Sequence, residues 1–479
     1  MRQALHILKK DIRYLWFEIC VVIALATLSI WVEVHSSNPW WIEGLLAVSA
    51  VYLIARLILA EAIPGDGQYW ITRPYCWNNL LAAKVLFIVA FVNLPIFVGR
   101  LMTLVALGFP MRSSLSGFLW SELMIFLAGS VPVAALASLT ASLVSFTFTM
   151  VILLAIIFAV QELSVLPASL PFARLAVEPM QWFWDFIVVA ILVIAAFCIL
   201  YTQYRTRRTT LGRSLGLSAV VLGAVAYLFV PWPWALFFQT HLSRHSLDTS
   251  SMRVEIKPNS ERLSAHGGKL VPTIDFVVSV NGVPDNTELR GDALAVVLKG
   301  VDGRAWKSGL YVVPGLSKKP GSGGRANFDA FVSLDPGFFQ AELGRNITLH
   351  GSIYLTLFGN RRSNTIEIQR QPVNVMDGLQ CYAGEFNGLK CRAPFRWPER
   401  LVYAKFSESD VRSFTSLISY SPFPAALNLA DPIETRELSA PPSLRQVTIL
   451  VEQPIEQFRL DFEIPSVHIE DLAVPSKAN

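Results

Sequence analysis

The residues best placed for chemistry are two cysteines in the second half of the chain, Cys381 and Cys391. Asn387-Gly388, which lies between them, is a turn signal. In an oxidising compartment the two thiols can close a small loop and stabilise the fold by roughly 2–3 kcal/mol. A metal site is the rival interpretation, but it needs four ligands and no nearby Cys or His completes the set. The sequence therefore predicts a disulfide, ahead of a metal site or two free thiols.

Motifs of known catalytic centres are absent from the sequence. It contains neither a His-Glu-x-x-His pair nor a Gly-x-Ser-x-Gly segment. A phosphate-binding loop needs Gly-x-x-x-x-Gly-Lys followed by Ser or Thr, so that backbone amides surround the phosphates. The nearest segment, Gly267-Gly268-Lys269-Leu270, lacks both the hydroxyl and the spacing. We therefore predict that the chain is not an enzyme and holds no metal or cofactor of its own.

The elements that position these residues follow from an uneven distribution of charge. Of the 479 residues, 53% are hydrophobic and only 16% are charged, against about a quarter in soluble domains. Residues 1–240 are poor in charge, and about 20 apolar residues suffice to cross a bilayer. Seven runs qualify, which predicts an α-helical membrane domain of about seven spans: Leu15–Val34, Ile42–Ala62, Leu80–Leu107, Phe118–Ser138, Phe146–Leu163, Phe183–Tyr201 and Leu215–Phe237.

Two features of these runs predict a break in the helix. Pro95 gives the long third run a cause for a kink. The fourth and fifth runs together are about twice as long as a bilayer core, so the chain must fold back between them. A hydroxyl-rich stretch is the expected turn: Ser138, Thr140, Ser142 and Ser145.

Polar residues inside apolar spans are functional candidates, because burying them in lipid is costly. The sequence offers six: Glu18, Arg56, Asn93, Arg100, Glu122 and Glu162. Arg56 and Glu122 lie deepest in the predicted spans and are expected to face protein or a cavity. The pattern leaves open whether they line a transport path or form structural ion pairs.

Basic residues predict the orientation. Arg and Lys concentrate before the first run and between the sixth and seventh, and they are sparse in the alternate loops. The positive-inside rule then places the N-terminus in the cytoplasm and, after seven spans, everything beyond Phe237 outside. Residues 1–14 are predicted to form a helix lying in the inner interface, with Leu5, Leu8 and Ile12 on one face. The alternative is that this segment is only the positive flank of the first span.

The loop between the second and third runs carries the most specific pattern. It reads Asp66-Gly67-Gln68-Tyr69-Trp70-Ile71-Thr72-Arg73-Pro74 and is followed by Leu80-Leu81-Ala82-Ala83-Lys84. Over roughly residues 1–210 the chain resembles bacterial type-2 ATP-binding-cassette transporter permeases, whose first cytoplasmic loop has this pattern. The alternative is that Trp70, Arg73 and Pro74 simply end the second span and position the third.

The resemblance implies a permease subunit in the bacterial inner membrane that exports a substrate or acts on the envelope. It also implies a separate ATPase subunit, which binds the ATP, and a second permease copy or homologue. The docking residues would be Asp66, Gln68, Tyr69, Trp70, Thr72, Arg73 and Pro74. A seventh span at residues 211–240 and the further domain at residues 241–479 depart from the family's six-span pattern, so simple small-molecule export does not follow.

Residues 241–479 have the pattern of an all-β domain. Short strand-forming runs such as Ile274–Val280 and Ile347–Leu357 alternate with Gly-, Pro- and Asn-containing turns. This favours a sandwich-like extracytoplasmic domain, with a possible subdivision near residues 373–378. The net charge of +4 is too small to indicate nucleic-acid binding.

The prediction that combines these points is a permease that couples to an ATPase through the loop at 66–74, with an outer β domain for a substrate or envelope partner. The alternative is a membrane-anchored binding or signalling protein whose spans serve as a scaffold. A polytopic membrane enzyme ranks last, for want of a reactive group of residues.

Overall fold

The structure is a computed structural model that describes a helical part up to residue 230 and a β-rich part from residue 249. The described ranges are 2–35, 40–60, 76–164, 181–230, 249–258, 273–284, 287–311, 324–369, 371–376, 378–384, 388–394, 401–405, 411–415, 433–439 and 446–469, with 234, 237–238 and 241. Seven long apolar helices are followed by a β-rich region, as the sequence predicts.

The helical part begins with an amphipathic helix and continues with the long apolar ones. In chain order the helices are α1 (Arg2–Tyr14), α2 (Trp16–His35), α3 (Trp40–Leu59), α4 (Trp77–Ile88), α5 (Leu94–Ala106), α6 (Met111–Met124), α7 (Val131–Leu139), α8 (Leu143–Ser164), α9 (Gln181–Thr206) and α10 (Thr209–Phe229). α4 and α5 form one stretch, as do α6 and α7, which gives seven stretches long and apolar enough to cross a membrane.

A π-helical turn joins the two halves of the third and of the fourth long helix. Val89–Asn93 lies between α4 and α5, and Ile125–Ser130 lies between α6 and α7. Each is followed two residues later by a proline, Pro95 or Pro132, which has no N–H to donate and therefore breaks the regular helical ladder. The predicted irregularity at Pro95 is thus a widened turn just before it. The Ser130 hydroxyl donates to the Asn93 side-chain oxygen at 3.2 Å, so the two turns contact each other.

The observed helix ends differ most from prediction at the seventh helix. It begins at Thr209 and ends at Phe229, six and eight residues before the predicted bounds. Val230 is extended because the following residue is a proline, which disfavours helical geometry before it. Arg213, expected in the preceding loop, therefore lies inside α10 and donates to the Leu139 carbonyl at 3.4 Å. The break after Leu139 falls within the predicted hydroxyl-rich turn.

The β-rich region consists of three open antiparallel sheets and a short helix, α11 (Pro336–Glu342). The strands are β1 (Arg253–Pro258), β2 (Thr273–Val283), β3 (Glu288–Gly300), β4 (Ala305–Tyr311), β5 (Gly324–Ser333), β6 (Asn346–Glu367), β7 (Val373–Met376), β8 (Leu379–Ala383), β9 (Gly388–Pro394), β10 (Leu401–Lys405), β11 (Val411–Thr415), β12 (Ile433–Ser439) and β13 (Gln446–His468). Their orders are β1-β2-β5, β11-β10-β13-β6-β3-β4 and β12-β9-β8-β7.

Two hydrophobic cores share the long β6–β13 ribbon. Apolar side chains of β2, β3 and β5 pack with the first half of β6 and the second half of β13 in one core. Those of β8, β9 and β10 pack with the other halves of the two long strands in the second core. Between the cores the pairing of β6 with β13 shifts register near Gly359 and Gln453, and Asn360 has a φ of 55°. The β6–β13 ribbon therefore bends at the boundary between the two hydrophobic cores.

Candidate functional site at the end of the third long helix

A buried ion pair joins the third and fourth long helices. Arg100 Nη1 lies 2.7 Å from Glu122 Oε1 and 3.1 Å from the Ser121 hydroxyl, and both charged side chains are at most 10% exposed. α5 supplies Arg100 and α6 supplies the two acceptors. The sequence singled out Glu122, and the structure gives it a partner that was also among the six polar candidates.

A small pocket that Arg100 also lines lies between α2, α3 and α5. Its polar lining consists of Ser29, Glu33, Arg100 and Thr103, and its apolar lining consists of Ala26, Leu46, Ile96 and Gly99. The Thr103 hydroxyl bonds Glu33 Oε2 at 3.3 Å. In this polar cluster Glu33 and Arg100 thus line one pocket, while Glu122 pairs with Arg100.

The second polar residue singled out from the sequence, Arg56, is in a looser arrangement. Its Nε lies 3.7 Å from Glu18 Oε1, its guanidinium lies 5.8 Å from the Tyr14 ring centroid, and its side chain is 38% exposed. The structure thus brings Arg56 and Glu122 to two separate ion pairs, not to one shared site.

The turn after α5 contacts the β-rich region just beyond this polar cluster. Gln380 of β8 donates through Nε2 to the Leu107 carbonyl at 2.7 Å. Arg392 of β9 lies over the Phe109 ring at 5.7 Å and donates through Nε to Gln380 Oε1 at 2.8 Å. Burial lowers the pKa of Arg392 from its ordinary value. Gly108, between the two contacted residues, has a φ of 73°, which only glycine adopts without strain.

The disulfide predicted from the sequence is present and lies beside this contact. Cys381 and Cys391 are bonded, and they are directly opposite each other in the pairing of β8 with β9. Gln380 and Arg392 form the adjacent pair in the same register. The cross-link therefore fixes the two strands next to the side chains that contact Leu107 and Phe109.

The other end of the third long helix is held by α1. Lys84 Nζ donates to Asp11 Oδ2 at 2.9 Å and to the Leu57 carbonyl at 3.2 Å, and both charged side chains are at most 3% exposed. Asn79 donates to Gln3 Oε1 at 2.7 Å. These bonds join α1 to the end of α3 and the start of α4, which flank the loop predicted to dock an ATPase. The loop residues, Asp66 to Pro74, lie outside the described residues.

A third charged cluster lies at the bend of the β6–β13 ribbon. Arg361 of β6 donates to both Glu288 of β3 and Glu452 of β13. Burial raises the pKa of Glu288 to about 7, and the neighbouring Glu452 carboxylate adds to the effect against the opposing charge of Arg361. Burial likewise raises the pKa of Glu452. The carboxylates are thus held close together by one guanidinium, on the strands that link the two cores.

Sequence reasoning missed Gln380, Arg392 and the Arg361 cluster. Each is an ordinary polar residue in a strand, and nothing in local spacing marks it. Gln380 and Arg392 reach Leu107 and Phe109 by packing on a helical turn, and strand pairing brings Arg361 to its two carboxylates. Within the described part of the chain, no group of three or more His, Cys, Asp or Glu side chains is arranged to hold a metal ion.

No protein-family model matches the chain. No curated protein matches it either.

Proposed function

We propose that the chain is the permease subunit of an ATP-driven transporter in the bacterial inner membrane. Its seven long apolar helices would cross the bilayer with the N-terminus in the cytoplasm. A separate ATPase subunit would dock on residues 66–74, and a second permease copy or homologue would complete the transporter. The outer β region would bind the substrate or an envelope partner.

One observation carries this proposal: a single long helix runs from the proposed docking loop to the β-rich region. Trp77–Ala106 begins directly after the loop and ends at the turn whose Leu107 carbonyl accepts from Gln380. Movement imposed at one end of this helix would reach the other through its two packed halves and the π-helical turn Val89–Asn93 that joins them. The helix thus offers a direct connection between ATP hydrolysis inside and the β region outside.

The same contact agrees with the proposed number of spans. If α1 lies in the cytoplasm, the third helix runs outward and its last turn reaches the outer face. The seventh helix also runs outward, so the β region follows on that face. The hydrogen bond between Leu107 and Gln380 requires both residues to be on the same side of the membrane. With seven spans, four lie between these two residues, so the condition is met.

The proposal is tested by reversing the charge of one loop residue. The variant is Arg73→Glu in the full chain, co-expressed with the ATPases encoded near its gene, and the readout is co-purification. We expect loss of ATPase association with normal insertion, because the docking surface would lose its cation. Arg112→Glu, at the start of α6 and on the side of the membrane predicted to be opposite, is the matched control and is expected to leave association unchanged.

Two outcomes count against the proposal. If Arg73→Glu retains the ATPase as the wild type does, the docking surface is elsewhere. If no ATPase associates even with the wild-type chain, the permease assignment fails, and the alternative of an anchored binding or signalling protein takes its place.

A further inference from the structure

One face of helix α1 packs against the rest of the protein. Ala4, Ile7 and Asp11 are buried, and they lie on one side of the helix at spacings of three and four residues. Asp11 forms the buried ion pair with Lys84, and Gln3 accepts from Asn79. These contacts fix the position of the helix and its rotation about its own axis. The opposite side of the helix therefore stays on the surface of the protein.

The opposite side is basic. Arg2, His6, Lys9 and Arg13 are all exposed, and their spacings of four, three and four residues align them along the helix. Acidic residues are absent from this face, since the only acidic residue of α1 is the buried Asp11. The line carries at least three positive charges at neutral pH.

Exposed apolar side chains border the basic line. Leu5 is 55% exposed, Tyr14 is 56% exposed, and Trp16 and Phe17 at the start of α2 are each 62% exposed. Trp16 and Phe17 are in edge-to-face contact, with ring centroids 6.1 Å apart. Aromatic residues at the end of a long apolar helix are typical of the level where lipid headgroups meet acyl chains. The basic line lies next to that level.

We propose that the exposed face of α1 is a binding site for anionic phospholipid headgroups. The basic line would pair with the phosphates, while Leu5, Tyr14, Trp16 and Phe17 would contact the adjoining acyl chains. An acidic protein surface is the competing occupant, but it would leave these apolar side chains without a partner. The inference depends on the membrane placement proposed above and is independent of transport.

The charges set the expected size of the effect. A Lys or Arg near an anionic surface contributes about 1 kcal/mol, so three together favour an anionic over a neutral lipid by roughly a hundredfold at low salt. Because α1 is already held by Asp11 and Lys84, little ordering free energy is lost on binding. High salt screens the exposed charges and weakens the preference.

The test counts lipids retained by the purified full chain. The protein in neutral detergent is mixed with equal amounts of phosphatidylglycerol and phosphatidylcholine of identical acyl chains, and native mass spectrometry gives the ratio of the two adducts. We expect a preference for phosphatidylglycerol that falls at least tenfold in Arg2→Gln/Lys9→Gln/Arg13→Gln and also in 0.5 M salt. The matched control, Arg205→Gln/Arg207→Gln/Arg208→Gln, neutralises as many charges on the same predicted side and is expected to keep the preference.

Insertion is verified in the same variants. In a background where Cys20, Cys76 and Cys198 are changed to serine, Cys381 and Cys391 are labelled after reduction from outside the cell. If the triple variant changes orientation, the single variant Lys9→Gln replaces it, with an expected several-fold fall in the lipid ratio.

Three results overturn the inference. One is an unchanged ratio in a correctly inserted variant, and another is an equal fall in the control. The third is that Arg2→Gln/Lys9→Gln/Arg13→Gln loses ATPase association while its lipid ratio stays unchanged. That result would show that the exposed face of α1 binds a protein and not lipid. Failure of the permease proposal is separate, since it concerns Arg73→Glu and leaves the lipid ratio unaffected.

Discussion

At the scale of residues, the two ion pairs of the helical part differ in how completely they are enclosed. Arg100 and Glu122 are nearly buried and share a short hydrogen bond, whereas Arg56 is partly exposed and lies 3.7 Å from Glu18. A buried charge loses its hydration and depends on its partner, whereas an exposed charge keeps solvent nearby. The two pairs should therefore respond very differently to removal of the carboxylate.

We expect Glu122→Ala to lower the free energy of unfolding by about 3 kcal/mol or more, because it leaves Arg100 buried and unpaired. Chemical unfolding of the full chain in one fixed detergent measures this loss. Glu18→Ala is the matched control and should cost less than about 1 kcal/mol. Arg100→Met/Glu122→Leu should recover most of the loss, since no isolated charge remains. Equal losses in the two single variants would contradict this interpretation of the pair.

The two ion pairs also show which part of the candidate site could be predicted from the sequence. Charge within an apolar run identified Arg56, Arg100 and Glu122, because the cost of an uncompensated charge is local and independent of fold. The sequence could not predict which of these charged residues pair with each other. Arg100 and Glu122 come from different helices, and their contact depends on how α5 and α6 pack around Phe109 and Phe118.

At the scale of elements, the bend in the β6–β13 ribbon concentrates charge where two cores meet. Glu288, Glu452 and Arg361 converge there from three neighbouring strands, and both carboxyl groups have raised pKa values. In the unfolded chain Glu288 ionises near its ordinary pKa of 4.5. Between pH 4.5 and about 7 the folded state therefore binds a proton that the unfolded state does not, and stability falls as pH rises through this window.

We expect the free energy of unfolding to fall by about 3 kcal/mol between pH 4.5 and pH 7.5 through Glu288. Glu288→Gln should flatten this dependence and stabilise the protein above pH 7, because an amide carries no charge to desolvate. Chemical unfolding of the full chain, followed by the circular dichroism of its sheets across this pH range, provides the comparison. Glu255→Gln, whose side chain is 55% exposed, is the control. A profile that Glu288→Gln leaves as steep as before would show that other groups cause it.

Sequence predicted the helices better than the strands, for a physical reason. A helix that can cross a membrane consists of about 20 consecutive apolar residues, which can be recognised in the sequence. The seven apolar runs therefore identified the seven helices. β6 and β13 are 22 and 23 residues long, but each changes core midway, so their patterns break at Asn360 and Glu452. The runs Ile347–Leu357 and Thr365–Ile368 consequently read as separate strands, although β6 includes nearly all of both.

At the scale of the whole molecule, a small contact among the described residues connects the helical part to the β-rich part. It is made by Gln380 and Arg392 against Leu107 and Phe109, beside the Cys381–Cys391 disulfide. Because the cross-linked pair is adjacent in register to the contacting pair, we expect the disulfide to stabilise the contact as well as the sheet.

We expect Cys381→Ser/Cys391→Ser to destabilise the sheet of β7, β8, β9 and β12 by about 2–3 kcal/mol. Backbone hydrogen exchange should accelerate in β8 and β9 and also in residues 104–109, because the turn after α5 loses a fixed partner. Exchange measured by mass spectrometry on the full chain distinguishes these segments. Cys20→Ser/Cys76→Ser/Cys198→Ser, which removes three unpaired thiols, should change none of them. Faster exchange confined to β8 and β9 would show that the contact does not depend on the cross-link.

The β6–β13 ribbon also constrains how the protein is made. β6 ends at Glu367 and β13 begins only at Gln446, so the central strand pairing must wait until about 80 further residues have left the ribosome. Until then the apolar faces of β2, β3 and β5 lack part of their core and have exposed edges. Truncation within β13 should therefore leave an aggregate and not a smaller folded domain.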